Sequence, residues 1–212
     1  FPGPPLHVTK SAPRQIFIVS PEEKLRELAD AQSGLLNELE RANNTQTETR
    51  NQVRDLQRQW EKAGSLRPQD RDLLQRTEMQ QRQVTSELNL PGSGIASRAE
   101  ELIQQHKQNQ LEDTESISKL QNLADELKSL GKEQLPRIED ALTQVRKNSG
   151  NSNPQQPASP LPPTEALKEA EENQTTVQGK LRELVQDLTE WRDQRYAARQ
   201  VEEIIAQQEQ TN

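Results

Sequence analysis

The stretch Ser20–Gly64, SPEEKLRELADAQSGLLNELERANNTQTETRNQVRDLQRQWEKAG, decides how this chain folds. It opens with a full helix start. Ser20 can cap a free backbone N–H, Pro21 sits where its missing N–H costs nothing, and Glu23 falls three residues after the cap and can reach back to it. Glu22 and Glu23 also favour the positive end of the helix dipole. Apolar residues then recur at three-four spacing: Leu25, Leu28, Leu35, Leu39, Ala42, Val53, Leu56, Trp60 and Ala63. Gln32, Gln46 and Thr49 occupy the same seam where it turns polar. This is a heptad repeat with a weak middle, closed by Gly64. Such a helix spans roughly 65 Å and cannot bury its own stripe, so it needs partner helices along its length.

The rest of the chain supplies them. Pro68 and Asp70 start a second helix over 68–89, with Leu74, Thr77, Gln81, Val84 and Leu88 on its seam. The short connection predicts a neighbour that runs back along the first helix. Pro91-Gly92-Ser93-Gly94 breaks the chain. A third helix is expected over 95–147, with three seam segments: Ala99, Leu102 and His106; Ile117, Leu120, Ala124 and Leu127; Leu135, Ile138, Leu142 and Val145. The register slips between them, first by a stutter after His106 and again at Gly131 and Pro136, where a kink or interruption is expected. Residues 149–163 read as a Pro/Ser/Asn linker. A last helix over 164–212 carries Leu167, Ala170, Gln174, Val177, Leu181, Leu184, Leu188 and Trp191 in one heptad stripe and is expected to pack back on the bundle, against the third helix. Pro91–Gly94 and the linker are the expected mobile joints and first sites of proteolysis.

Residues 1–19 are kept out of helix by Pro2, Pro4, Pro5 and Pro13. Gln15–Val19 is β-prone and reads either as the end of a preceding β domain or as an extended arm. The start at Phe1 suggests a fragment of something larger.

The expected fold is all-α: an elongated coiled-coil bundle of antiparallel helical hairpins with a short extended N-terminal arm. Composition agrees. Only 29% of residues are hydrophobic and 2% aromatic, too few for a wide core, so a thin bundle of two or three helices is expected. The net charge of −7 is spread over mixed-sign faces, which argues against nucleic-acid binding. No apolar run approaches the ~20 residues of a membrane span. The chain has no cysteine and only two histidines.

Chemistry-bearing patterns are scarce. His106 lies on a seam, where a structural role outweighs a ligand role. Glu100 and Glu101 do not form an i, i+4 metal pair with it. The glycines of Pro91–Gly94 follow no strand and precede no P-loop lysine. The neighbours Glu112-Asp113 and Glu139-Asp140, read as helical, diverge by about 100° and make poor acid–base pairs. Trp60 and Trp191 read as packing anchors, with Tyr196 as the one aromatic near the second. Catalytic, cofactor and metal residues are therefore none. The residues expected to matter form the helix-packing seam: Leu25, Leu28, Leu35, Leu39, Val53, Leu56, Trp60, Leu181, Leu184, Leu188 and Trp191.

Three pieces together resemble the long helical region of a family of large bacterial membrane-anchored envelope proteins of unknown function: Val19–Leu28; Ile95–Leu111 followed by Leu135–Ile138; and Leu188–Trp191 with Tyr196. The resemblance implies a β-type region before the helices and a membrane anchor elsewhere in the chain, and no activity. Rod segments of chromosome-partition and tethering proteins are similar through heptads alone. The expected function is a non-catalytic spacer or scaffold segment, with a partner-binding helical module as the alternative. Expected partners are other protein helices, in cis or weakly in trans, with no small-molecule ligand. The fragment is expected to be a monomer at low concentration, and Gln46→Leu to strengthen the bundle or its association.

Overall fold

The computed structural model describes residues 20–111, 113–150 and 161–211, and the β-prone run at 15–19 lies outside them. The described residues are all-α. Six helices follow one another: α1 (Pro21–Ala63), α2 (Pro68–Asn89), α3 (Ile95–Gln108), α4 (Thr114–Lys132), α5 (Gln134–Gly150) and α6 (Pro163–Thr211).

α1 starts as its sequence dictates. The Glu23 backbone N–H donates to Ser20 Oγ (3.1 Å) and the Glu23 carboxylate accepts from the Ser20 N–H (3.0 Å). It ends at Gly64, whose φ of +66° places the N–H on the Trp60 carbonyl. That left-handed cap is strained for residues with a Cβ. α2 begins after Arg67, where the Asp70 carboxylate accepts from the Arg67 backbone N–H (3.1 Å) and side-chain Nε (2.9 Å).

The six helices make four columns: α1 alone, α2 followed by α3, α4 followed by α5, and α6 alone. Hydrogen bonds between columns give their directions. α1 meets α2 through Gln52–Thr77 and Gln46–Gln81, then α3 through Glu38–Arg98 and Gln32–His106. Numbers fall along α1 as they rise along α2 and α3, so both run opposite to α1. The break at Leu90–Gly94 therefore turns α2 into α3 without reversing the chain. It is a tied loop, in which Gly94 N–H donates to the Leu90 carbonyl (2.7 Å) and Gly92 N–H to Ser97 Oγ (3.2 Å).

The chain reverses at Asn109–Asp113 instead. This corrects the single third helix expected over 95–147: the segment forms three helices, and the apparent stutter is the turn between columns. Gln110 takes a left-handed φ of +53°, and Asp113 caps α4 by accepting from the Ser116 N–H (3.0 Å). Asp113 is therefore a cap and not a member of a helical Glu–Asp pair. α4 runs opposite to α3, as the Lys128–Glu100 ion pair shows. One residue, Glu133, interrupts it (φ −114°, ψ −68°). Pro136 then falls in the first turn of α5, where no intrahelical N–H is needed, so it starts a helix without kinking one. Ser149, Gly150 and Pro163, expected in the linker, belong to α5 and α6.

α6 packs along α1 and α5 and only lightly on α4. Arg50 with Gln178 (2.8 Å) and Arg54 with Glu171 (3.3 Å) tie it to α1. The expected contact with the third helix thus covers part of its packing, and α1 supplies the rest. Four columns replace the expected two or three. The reason is visible in the buried residues: Leu36, Ile103, Leu123, Leu130, Ala141 and Ala166 face inward beside the heptad seam. That widens the apolar stripe to the width a four-column core requires.

Candidate functional site

The seam residues enter one continuous core. Leu28, Leu35, Leu39, Val53, Leu56, Leu181, Leu184, Leu188 and Trp191 are buried. Leu25 and Trp60, towards the ends of α1, are half-buried. A fully buried leucine contributes about 2 kcal/mol relative to exposure, so the seam is a stability device along its length.

Two polar clusters interrupt it. In the middle, Gln46, Gln81 and Gln174 are fully buried and join α1, α2 and α6. Gln81 Nε2 donates to Gln46 Oε1 (3.1 Å), and Gln174 Nε2 donates to Gln81 Oε1 (2.9 Å). Beside them Gln178 Nε2 donates to Thr47 Oγ1 (2.7 Å). The Glu78 carboxylate, 5% exposed, accepts from Arg82, Thr143 and Arg146. Three donors thus meet the two oxygens of this buried carboxylate, which leaves neither oxygen unpaired. These bonds reach from α1 and α6 through α2 to α5, so they specify which columns meet and at what height.

The second cluster lies where α1, the α3–α4 turn and α6 converge. His106 is fully buried, with its Nε2 3.1 Å from the Gln32 amide nitrogen and its Nδ1 buried without a partner. Arg195 donates to Asp113 (3.0 Å) and Ser116 Oγ (2.5 Å) and lies over the Trp191 ring, 5.2 Å from its centroid. Ser116 Oγ donates to the Asp113 carboxylate. Burial lowers the His106 pKa, and the Arg195 charge adds to that while Asp113 opposes it. Burial works to raise the Asp113 pKa, but the side-chain and backbone bonds of Ser116, with the Arg195 and His106 charges, outweigh it and hold it below the usual range. The cluster is a buried imidazole beside an Arg–Asp–Ser network. Its serine is held between the Arg195 cation and the Asp113 carboxylate.

His7 and residues 151–160 lie outside the described residues. Among the described residues no group of three or more His, Cys, Asp or Glu is placed to hold a metal. No helix there is long and apolar enough to cross a membrane. Sequence reading found Gln32, Gln46, Gln81, Gln174 and His106 as seam positions. It did not find that Gln46, Gln81 and Gln174 meet, nor that Asp113, Ser116 and Arg195 close around the end of the bundle. The capping pattern Asp113-Thr114-Glu115-Ser116 was the available signal for the last group. Comparison of the chain with protein-family models, curated proteins and solved structures finds no match.

Proposed function

We propose that this chain is a non-catalytic spacer or scaffold segment of a larger bacterial protein, associated with the cell envelope. In this reading the columns form antiparallel coiled-coil hairpins, and their length sets the distance between whatever they join. The observation that carries it is the core itself: one apolar seam follows α1 from Leu28 to Leu56 and α6 from Ala166 to Trp191, and its polar interruptions hold columns in register. The envelope assignment rests on the resemblance of Val19–Leu28, Ile95–Leu111 with Leu135–Ile138, and Leu188–Trp191. The partners of a spacer are other protein helices in cis, and it needs no cofactor and no nucleic acid.

The test is replacement in the natural protein. An unrelated four-column bundle of equal length should preserve function, and removal of two heptads from every column should abolish it. Loss of function on equal-length replacement would overturn the spacer reading and favour specific surface recognition.

A second reading, a partner-binding module, draws on one observation. Val201, Ile204 and Ile205 share a stripe near the end of α6 and are about half exposed (55%, 54% and 50%). Apolar residues at i, i+3 and i+4 fit a helical partner. If this stripe binds, Val201→Lys with Ile205→Lys should impair function while leaving bundle stability unchanged.

A further inference from the structure

His106 is fully buried, and neither of its ring nitrogens meets an acceptor. Nδ1 has no partner, and the group 3.1 Å from Nε2 is the Gln32 amide nitrogen, which only donates. An imidazolium carries an N–H on both nitrogens, and away from water each needs an acceptor. These surroundings therefore oppose the charged ring. Burial first, and then the Arg195 charge, lower the His106 pKa against the pull of Asp113.

Gln32 connects this ring to α6. Its Oε1 accepts from Arg195 Nη1 (3.5 Å), and the same nitrogen donates to Ser116 Oγ (2.5 Å) and pairs with Asp113 (3.0 Å). Arg195 thereby ties α6 to α1 and to the start of α4. A proton on His106 Nε2 needs an oxygen where the Gln32 NH2 group now stands. Turning that amide over supplies one, and the same motion takes the oxygen from Arg195 and sets donor against donor there. The charged groups that face His106 are Asp113, at the start of α4, and Arg195, on α6; α1 presents the neutral Gln32. Asp113, whose pKa is lowered against the effect of its burial, stays ionised where histidine titrates. A charged His106 therefore repels Arg195 and competes with it for Asp113.

We propose that His106 is an acid-sensitive latch: on taking up a proton it turns the Gln32 amide and loosens Arg195, and with it α6 from Arg192 onward, from the α3–α4 turn. The middle of α6, tied to α1 by Arg50 with Gln178 and Arg54 with Glu171, stays in place. The loosened stretch leads into the exposed Val201, Ile204 and Ile205, so pH sets how firmly that stripe is held to the bundle. The latch is independent of the spacer role, because the middle of the bundle keeps its register when one end opens.

The experiment is hydrogen exchange on the whole chain at pH 7 and pH 5, with each amide corrected for its intrinsic rate. Amides of Arg192–Ala198 should lose protection about fivefold or more at pH 5, while those of Gln174–Leu184 keep theirs. His106→Gln cannot titrate and should give equal protection at Arg192–Ala198 at the two pH values. Gln32→Met fills similar space without the amide and should shrink the effect of pH on that stretch. Unchanged protection at Arg192–Ala198 in the native chain, an equal loss along the whole of α6, or an undiminished effect in either variant would each overturn the proposal. Should a variant fail to fold, the contrast between the two stretches of α6 in the native chain decides.

Discussion

Gln46 shows how a residue's neighbours reverse an expectation. Seam spacing alone predicts that Gln46→Leu strengthens the bundle, because a buried amide is replaced by an apolar group. In the structure Gln46 is the acceptor for Gln81, which in turn accepts from Gln174. The single substitution strands the buried Gln81 amide and should destabilise the bundle by about 1–3 kcal/mol. Replacing Gln46, Gln81 and Gln174 together by Leu removes every partner at once and should be near neutral or stabilising, with looser register as its cost. Urea denaturation of the two variants separates these outcomes. A stabilised single variant would mean that Gln46 is not the acceptor on which the Gln81 amide depends. His106 gives a second test. Its folded pKa is depressed, by burial first, so the unfolded chain takes up the proton more readily. The stability this group contributes is complete above the unfolded pKa of about 6.5 and is lost as pH falls below it towards the folded value. The urea midpoint should drop between pH 7 and pH 5. His106→Gln, which retains an acceptor for Gln32, should flatten that drop. An equal drop in the variant would place the titration elsewhere.

At the scale of the elements, the breaks carry the information. An added Cβ at Gly94 would lie 2.5 Å from the Leu90 nitrogen and 2.9 Å from its carbonyl oxygen, both backbone atoms of the tied loop. Gly94→Ala should therefore cost about 1–3 kcal/mol, as an overpacked site does. Gly34, inside α1, meets nothing within 4 Å, and Gly34→Ala should stabilise by up to about 1 kcal/mol through helix propensity. Thermal melts of the two variants should move in opposite directions. The loop's hydrogen bonds also weaken the expectation that Pro91–Gly94 is an early protease site. The starts of α1 and α2 were legible because Ser20-Pro21-Glu22-Glu23 and Pro68 with Asp70 carry their caps in adjacent residues. The reversal at Asn109–Asp113 was not, because it uses neither Pro nor Gly. Gln110 adopts its left-handed conformation under tertiary constraint, and a three-four pattern cannot distinguish a register slip from a turn between columns. The core seam was legible for the same local reason. The second inward column at Leu36, Leu123 and Ala141 was not, since the width of an apolar stripe depends on how many neighbours a helix has. The Arg195–Asp113–Ser116 closure joins positions far apart in the chain, which no spacing within one helix encodes.

For the molecule as a whole, the arrangement makes a statement about shape and association that two solution measurements can check. α1 has 43 residues and α6 has 49, so each single-helix column is roughly 65–75 Å long at 1.5 Å per residue. A globule of this chain length has a radius of gyration of about 17 Å. A four-column bundle of that length should give about 21 Å, reckoned as a rod. Small-angle scattering near 17 Å would contradict the extended arrangement. Association follows from what the columns leave uncovered. Most of the apolar side chains are consumed by the internal core, and the outer faces carry charges of both signs. The exposed large apolar groups outside α6 are isolated, as at Met79 and Leu90, while Val201, Ile204 and Ile205 form the one stripe among the described residues. Three such side chains present far less area than a stable dimer buries, which is about 800 Å² per partner. The expected state is therefore a monomer at micromolar concentration, with weak pairing through α6 at higher concentration. Val201→Lys with Ile205→Lys should remove that pairing and leave the monomer's melting point unchanged. Sedimentation equilibrium reads both. A dimer that persists at nanomolar concentration would show that the chain's apolar surface is larger than α6 presents, and would raise partner binding above the spacer role.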